Sequence, residues 1–282
     1  MRIPRGLVAL VLAAGLVPGL AHAELIYGLT ADSRIATFDS ATPGSVASSL
    51  AITGLQGGDV LVGIDLRPAD NLLYSVATSG NLYRLDLSGS GYAAVLVGNI
   101  AVGLTGTSYG IDFNPTVDRL RLIDNTDQNL RINPANAVTL TDTPIGGGYD
   151  IVGSAYTNNF SGAVSTVLYG LDAAGDQLLR ASNPNGGVYF SVGPLGIALD
   201  TSNGVGFDIS GSTGDAYFNS GSSFYSLNLA TGGATLIGSL GSGALVGLTA
   251  YAVPEPATWA LMIGGFALAG LALRGRRRAL GA

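Results

Sequence analysis

Asp65, Asp112 and Asp208 each stand two residues after a glycine: Gly63, Gly110 and Gly206. Two more glycines of the same pattern, Gly153 and Gly247, are followed at that place by Ala155 and Thr249. Carboxylates delivered to one place by a repeat could form a partial ring of oxygens. Such a ring suits a hard cation, Ca²⁺ in particular, or the hydroxyls of a sugar. In the plainer alternative, each Asp accepts hydrogen bonds from a neighbouring turn and recurs because its unit recurs. Both readings stay open on the sequence; the expectation is no cofactor and no metal, with Ca²⁺ as the one alternative.

Little else is available for chemistry. The body of the chain, residues 24–252, contains no Cys, His, Lys, Met or Trp, and the single histidine is His22. Most nucleophile–base pairs are therefore missing, as are the nitrogen and sulfur ligands that zinc prefers. Two carboxylates can still hydrolyse a glycosidic bond. The body's one glutamate, Glu24, would stand at a new N-terminus, a poor place for a buried acid. The expectation is thus a non-catalytic binding or matrix module, with an Asp-dependent extracellular glycan hydrolase as the alternative. Seven Arg face seventeen Asp and one Glu in the body, a net charge of −11, which argues against nucleic acid. Without cysteine there are no disulfide staples, so stability must come from the core or from bound ions.

Two short motifs carry less than they suggest. Asp124–Asn129 (DNTDQN) resembles a calcium loop but lacks the Gly at position 6 and the Glu at position 12. It reads as a polar β-turn. Asn159-Phe160-Ser161 is formally a glycosylation sequon.

The elements that position the aspartates are short β-prone runs punctuated by Gly and Ser. A four-strand unit repeats. The clearest copy spans Leu61–Gly98, and others open at Ser108, Ile151 and Gly204. The five repeat glycines are spaced by 47, 43, 53 and 41 residues. The last opens a single strand, LVGLTAYA, while three strands without a first one precede Leu61. The last strand therefore completes a unit begun by the first three, which closes a ring and removes exposed edges. The fold class is all-β: a five-bladed β-propeller closed by its N- and C-terminal strands. Six blades would follow if the 53-residue unit hid a strand pair. Tyr27, Tyr74, Tyr169 and Tyr217 fall on second strands, and Tyr83 and Tyr225 on third strands, as packing residues. Tyr92 and Tyr149 are expected in loops, where a sugar could stack on them.

Both ends carry transport signals. Met1–Ala23 has a basic start at Arg2 and Arg5, an apolar stretch at Leu7–Leu16 and the small-x-small site Ala21-His22-Ala23, and reads as a signal peptide with a helical core. At the other end, Pro254, Glu255 and Pro256 precede seventeen uncharged residues, Ala257–Leu273. That run makes about 26 Å of helix, near the lower limit for a transmembrane span. Trp259 stands at one end as an interfacial anchor, and Arg274, Arg276, Arg277 and Arg278 stand at the other, on the cytoplasmic side. The domains read as signal peptide 1–23, propeller 24–252 and anchor segment 253–282.

VPEP, a short span and an arginine cluster, in that order, resemble the PEP-CTERM sorting signal of Gram-negative bacteria. The resemblance implies recognition at Pro254–Pro256 by an exosortase, export through the inner membrane, and display at the cell surface or in a polysaccharide matrix. The implied partners are the exosortase and secretion machinery, the inner membrane and an extracellular polysaccharide. The body resembles a bacterial family of domains of unknown function through GIDFNPTVDRLRL at Gly110–Leu122, QNLRINP at Gln128–Pro134 and AYTNNF at Ala155–Phe160. That family often carries such a tail and implies no established activity.

Overall fold

A computed structural model of the chain describes residues 23–251. Residues 1–22 and the segment from 252 onward, including Pro254–Pro256, Trp259 and the arginines, lie outside the described residues. Among the described residues no helix is long and apolar enough to cross a membrane.

The body starts with three strands, β1 (Leu25–Thr30), β2 (Arg34–Asp39) and β3 (Val46–Thr53). Four runs of four follow. The first is β4 (Leu61–Leu66), β5 (Leu73–Ala77), β6 (Asn81–Ser88) and β7 (Gly91–Asn99). The second is β8 (Tyr109–Asn114), β9 (Arg119–Asp124), β10 (Asn129–Ile132) and β11 (Thr139–Thr141). The third is β12 (Ile151–Tyr156), β13 (Leu168–Asp172), β14 (Gln177–Asn183) and β15 (Val188–Pro194). The fourth is β16 (Phe207–Ile209), β17 (Ala216–Ser220), β18 (Ser223–Leu227) and β19 (Ala234–Ser239). A last strand, β20 (Leu245–Tyr251), ends the body.

Each run of four is an antiparallel meander. β20 pairs antiparallel with β1, from Leu25 opposite Tyr251 to Thr30 opposite Leu245, and supplies the first strand of blade 1. The innermost strands touch in the cyclic order β20, β4, β8, β12, β16 and back to β20. The result is a five-bladed propeller closed by its two ends. No sixth blade forms among the described residues: residues 195–206, which lengthen the 53-residue unit, connect β15 to β16 without a strand. Blades 1 and 2 are also joined at the rim, where β3 and β7 pair in parallel through Ile52–Tyr92 and Thr53–Ala93.

The core is not one body but five. A separate buried cluster fills each of the five blade interfaces, for example Phe113, Leu120 and Leu122 with Val62, Tyr74 and Val76 between blades 2 and 3. Innermost strands are covered on both faces, so LVGIDL and IVGSAY read as nearly continuous apolar runs. Every cluster is built from residues 26–250, so the body completes its own core.

The repeat glycines pack where adjacent innermost strands come closest. A Cβ on Gly110 would run into the Ser154 amide of the next blade, and one on Gly206 into the Leu248 amide. At Gly110, Gly206 and Gly247 the neighbouring backbone leaves no room for a side chain, whereas at Gly63 and Gly153 the neighbour is a side chain, Ile111 or Phe207.

Tyr92 departs from expectation. It lies on β7, is buried, and packs at the rim between blades 1 and 2, because the parallel pairing with Ile52 covers it. Tyr149 is in a loop, as expected, but packs against the cluster between blades 3 and 4. Asp124–Asn129 is a turn between β9 and β10, in which Asp124 accepts from the amides of Thr126 and Gln128.

Candidate functional site

Strand alternation puts the residue two after each glycine on the same side as that glycine. The ring closure then gathers five such residues, Asp65, Asp112, Ala155, Asp208 and Thr249, one per blade. The three aspartates meet: carboxylate oxygens from all three lie within 4.8 Å of one another. All three side chains are buried, with at most 1% exposure.

The donors are backbone amides, half of them from the next blade. Phe113 N donates to Asp65 Oδ2 at 2.7 Å, and Ala250 N donates to Asp208 Oδ2 at 2.7 Å. Each of these aspartates also accepts from the amide after its own, Leu66 N at 2.7 Å and Ile209 N at 2.6 Å. The partners are therefore not neighbouring turns, because strand ends of adjacent blades lie closer than turns do. Thr249 Oγ1 stands 2.9 Å from both Asp65 Oδ1 and Asp208 Oδ2. Its single proton can serve only one of them at a time.

Asp112 is different. No N–H or hydroxyl donor bonds either of its oxygens, but the Asp208 carboxyl is near enough for the two to share a proton. The Tyr156 amide, counterpart of those of Phe113 and Ala250, lies near enough to favour the carboxylate electrostatically but closes no hydrogen bond. Burial, and then the charges of its neighbours, hold Asp112 and Asp65 well above the usual carboxylate range; burial raises Asp208 as well. Two carboxylate charges at this separation repel by about 3–4 kcal/mol at an effective dielectric of ~20. Three cannot all be ionised there without a counter-charge.

Arg121 does not provide it. Arg121 on β9 sits opposite Asp112 in the register, yet its guanidinium turns away. It donates to Tyr156 Oη at 3.0 Å, Asn129 Oδ1 at 2.5 Å, Asp142 Oδ2 at 2.9 Å and Asn185 Oδ1 at 2.7 Å. This buried network fastens blade 3 to blade 4. Sequence reasoning misses it, although Arg121, Asn129 and Tyr156 all fall within the three family blocks.

Recesses lie at both ends of the ring, and no aspartate among the described residues lines either of them. At the aspartate end a recess of about 390 Å³ is lined by Leu66, Asn71, Asn159, Phe160, Ser212 and Tyr251. At the opposite end a recess of about 430 Å³ is lined by residues just before the glycines, among them Val62, Tyr109 and Val246. Between them, at the glycine layer, lies a void of about 10 Å³. Among the described residues there is no through-channel. β20 ends at Tyr251, so the chain leaves the body at the aspartate mouth.

Glu24 also departs from expectation. It is buried, with Oε1 accepting from Thr213 Oγ1 at 2.6 Å and Oε2 unpartnered. Burial raises its pKa. The start of β1 is tucked under the β16–β17 turn, which sequence position alone does not reveal.

Residues 34–249 match the family model described as a domain of unknown function, DUF4394. The chain belongs to this family. Residues 252–278 match the PEP-CTERM protein-sorting motif, so the DUF4394 body is followed at once by its sorting segment. No curated protein matches the chain. Among solved structures, a protein of unknown function from Bacteroides thetaiotaomicron is 14% identical, with a TM-score of 0.50, over 77% of this chain and 59% of its own. One from Bacteroides caccae is also 14% identical, with a TM-score of 0.41, over 76% and 72%. Dihydro-heme d1 dehydrogenase NirN in complex with DHE is 11% identical, with a TM-score of 0.36, over 75% and 43%. The chain thus spans less than two thirds of the first and third of these. At such identities the likeness concerns the fold alone. The PEP-CTERM motif marks a membrane-anchored precursor that an exosortase processes on an export route to the surface.

Proposed function

We propose that the DUF4394 body is a non-catalytic binding module, exported by its PEP-CTERM segment and displayed at the cell surface or in the extracellular matrix, with a polysaccharide as ligand. The observation that carries this reading is the state of the aspartates. Asp65 and Asp208 are tied to backbone amides of the next blade, and all three carboxyls lie beneath the surface. A glycosidase presents its two carboxyls to an open cleft, about 5–9.5 Å apart. The surface above them offers binding chemistry instead: Phe160 is 48% exposed beside Asn71, Asn159 and Ser212, an aromatic face ringed by amides and a hydroxyl.

A glycan array probed with residues 24–252 tests this. Binding that falls at least tenfold in Phe160→Ala supports the reading, and retention of full binding by that variant removes the recess as the site. The hydrolase alternative gains one candidate, since Glu24 is a buried carboxyl with a raised pKa. Turnover in a glycan hydrolysis screen that disappears in Glu24→Gln or Asp112→Asn would favour it over binding.

A further inference from the structure

We propose that the hub formed by Asp65, Asp112 and Asp208 binds one Ca²⁺ ion, which ties three blades together at the centre of the ring. This inference is independent of the polysaccharide reading.

The first ground is the donor count. Asp65 and Asp208 accept two amides each and share one hydroxyl. Each carboxylate oxygen has two acceptor sites. Asp65 Oδ2 and Asp208 Oδ1 are therefore each left with one, and Asp112 Oδ1 and Oδ2 with all of theirs. Buried, unpartnered carboxylate oxygens are strongly unfavourable unless a positive charge or a proton meets them. Asp112 is fully buried, and one oxygen of each aspartate lies within 4.8 Å of the other two.

The second ground is charge. Three carboxylates within 4.8 Å call for a cation or a shared proton, and the guanidinium of Arg121, the arginine on the facing strand, bonds elsewhere. The ligand atoms are all carboxylate oxygens, the set that selects hard cations over zinc or copper. Ca²⁺ takes six to eight oxygens at about 2.3–2.6 Å, and one oxygen from each aspartate lies within 4.8 Å of the other two, close enough for the three to share one ion. Mg²⁺ keeps most of its waters rather than entering a cage made of protein alone. The recess at the aspartate end is lined by Leu66 and Ala250, the residues directly after Asp65 and Thr249, so it begins one position beyond the hub.

The test uses residues 24–252, which close on themselves and carry their own core. The protein is stripped with EDTA, and Ca²⁺ is titrated by calorimetry at neutral pH. One site per chain is expected, with Mg²⁺ binding at least tenfold more weakly. Thermal unfolding in saturating Ca²⁺ should rise by about 5 °C or more over EDTA. In Asp112→Asn the calorimetric site and the Ca²⁺-dependent rise should both disappear, while the variant in EDTA melts no lower than the parent in EDTA. Absence of binding to the parent at millimolar Ca²⁺ would overturn the proposal. So would an undiminished effect in Asp112→Asn, which would place the ion elsewhere on the acidic surface, or equal binding of Mg²⁺. If Asp112→Asn fails to fold, Asp65→Asn takes its place, and the parent titration decides by itself whether an ion binds.

Discussion

Phe113 N and Asp65 Oδ2 lie 48 residues apart in the chain and 2.7 Å apart in space. The same relation holds between Ala250 and Asp208, across the junction where the ring closes. A strand's central carboxylate thus caps an amide of the next blade's innermost strand. The repeat is not only a repeat of blades but of the joints between them.

Closure itself is open to test. A chain ending at Ala244 loses β20, which leaves one edge of β1 unpaired, removes the strand that β4 and β16 pack against, and opens the cluster around Ile26 and Phe38. We expect this chain to aggregate or to lose cooperative unfolding, as exposed strand edges do. Size-exclusion chromatography and urea unfolding, compared with residues 24–252, check it. A monomer with unchanged unfolding would refute the closure.

Gly110→Val should destabilise strongly, because its Cβ meets the backbone of Ser154 rather than a movable side chain. Overpacking of this kind costs about 1–3 kcal/mol or more. Valine is otherwise well suited to a strand, so a neutral result in urea unfolding would show that the blades have room to separate.

Arg121→Met should also destabilise, by about 3 kcal/mol, since it leaves Asn129, Asn185 and Asp142 short of a buried donor. Arg131 still pairs with Asp142 at 2.7 Å and limits the loss. A double-mutant cycle with Asp142→Leu measures the coupling. Values near zero would mean that the network is replaceable by packing.

The pair Arg67–Asp118 makes a small, pH-dependent contribution at the joint of blades 2 and 3. Its hydrogen bond and charge hold the Asp118 carboxyl below its ordinary value of 3.8. A lowered carboxyl stabilises the fold above its unfolded pKa and ceases to as pH falls through the folded one. Asp118 is 40% exposed, so solvent screening limits the effect to below about 1 kcal/mol. Asp118→Asn should therefore be slightly less stable than the parent at about pH 7, with the gap closing below about pH 4. Urea midpoints at the two pH values check the sign.

Much of the architecture is legible in the residues because the innermost strands are so constrained. Gly110, Gly206 and Gly247 must be small where neighbouring backbones touch, and Gly63 and Gly153 pack tightly on Ile111 and Phe207, so the five recur and count the blades. The orphan strand after Gly247 and the three strands before Leu61 have to find each other, since neither set makes a blade alone. Tyr92 is illegible for a related reason: SGSGY looks like a turn ending in a loop, but the partner that buries Tyr92 comes from blade 1. The burial of Glu24 is hidden in the same way, because its cover, the β16–β17 turn, lies 189 residues away at Thr213.

The sequence by itself determined the all-β class, the number of repeats, the closure and the route of export, because these depend on local pattern and on signals read in linear order. It also determined that oxygen is nearly the only ligand chemistry in the body. Only the tertiary structure decided that three of the aspartates converge, that two are bound by amides of the next blade, and that Asp112 is left without an N–H or hydroxyl donor. Hydrogen-bond satisfaction is a property of side chains and backbone brought together from distant parts of the chain, and no spacing of residues along a strand encodes it.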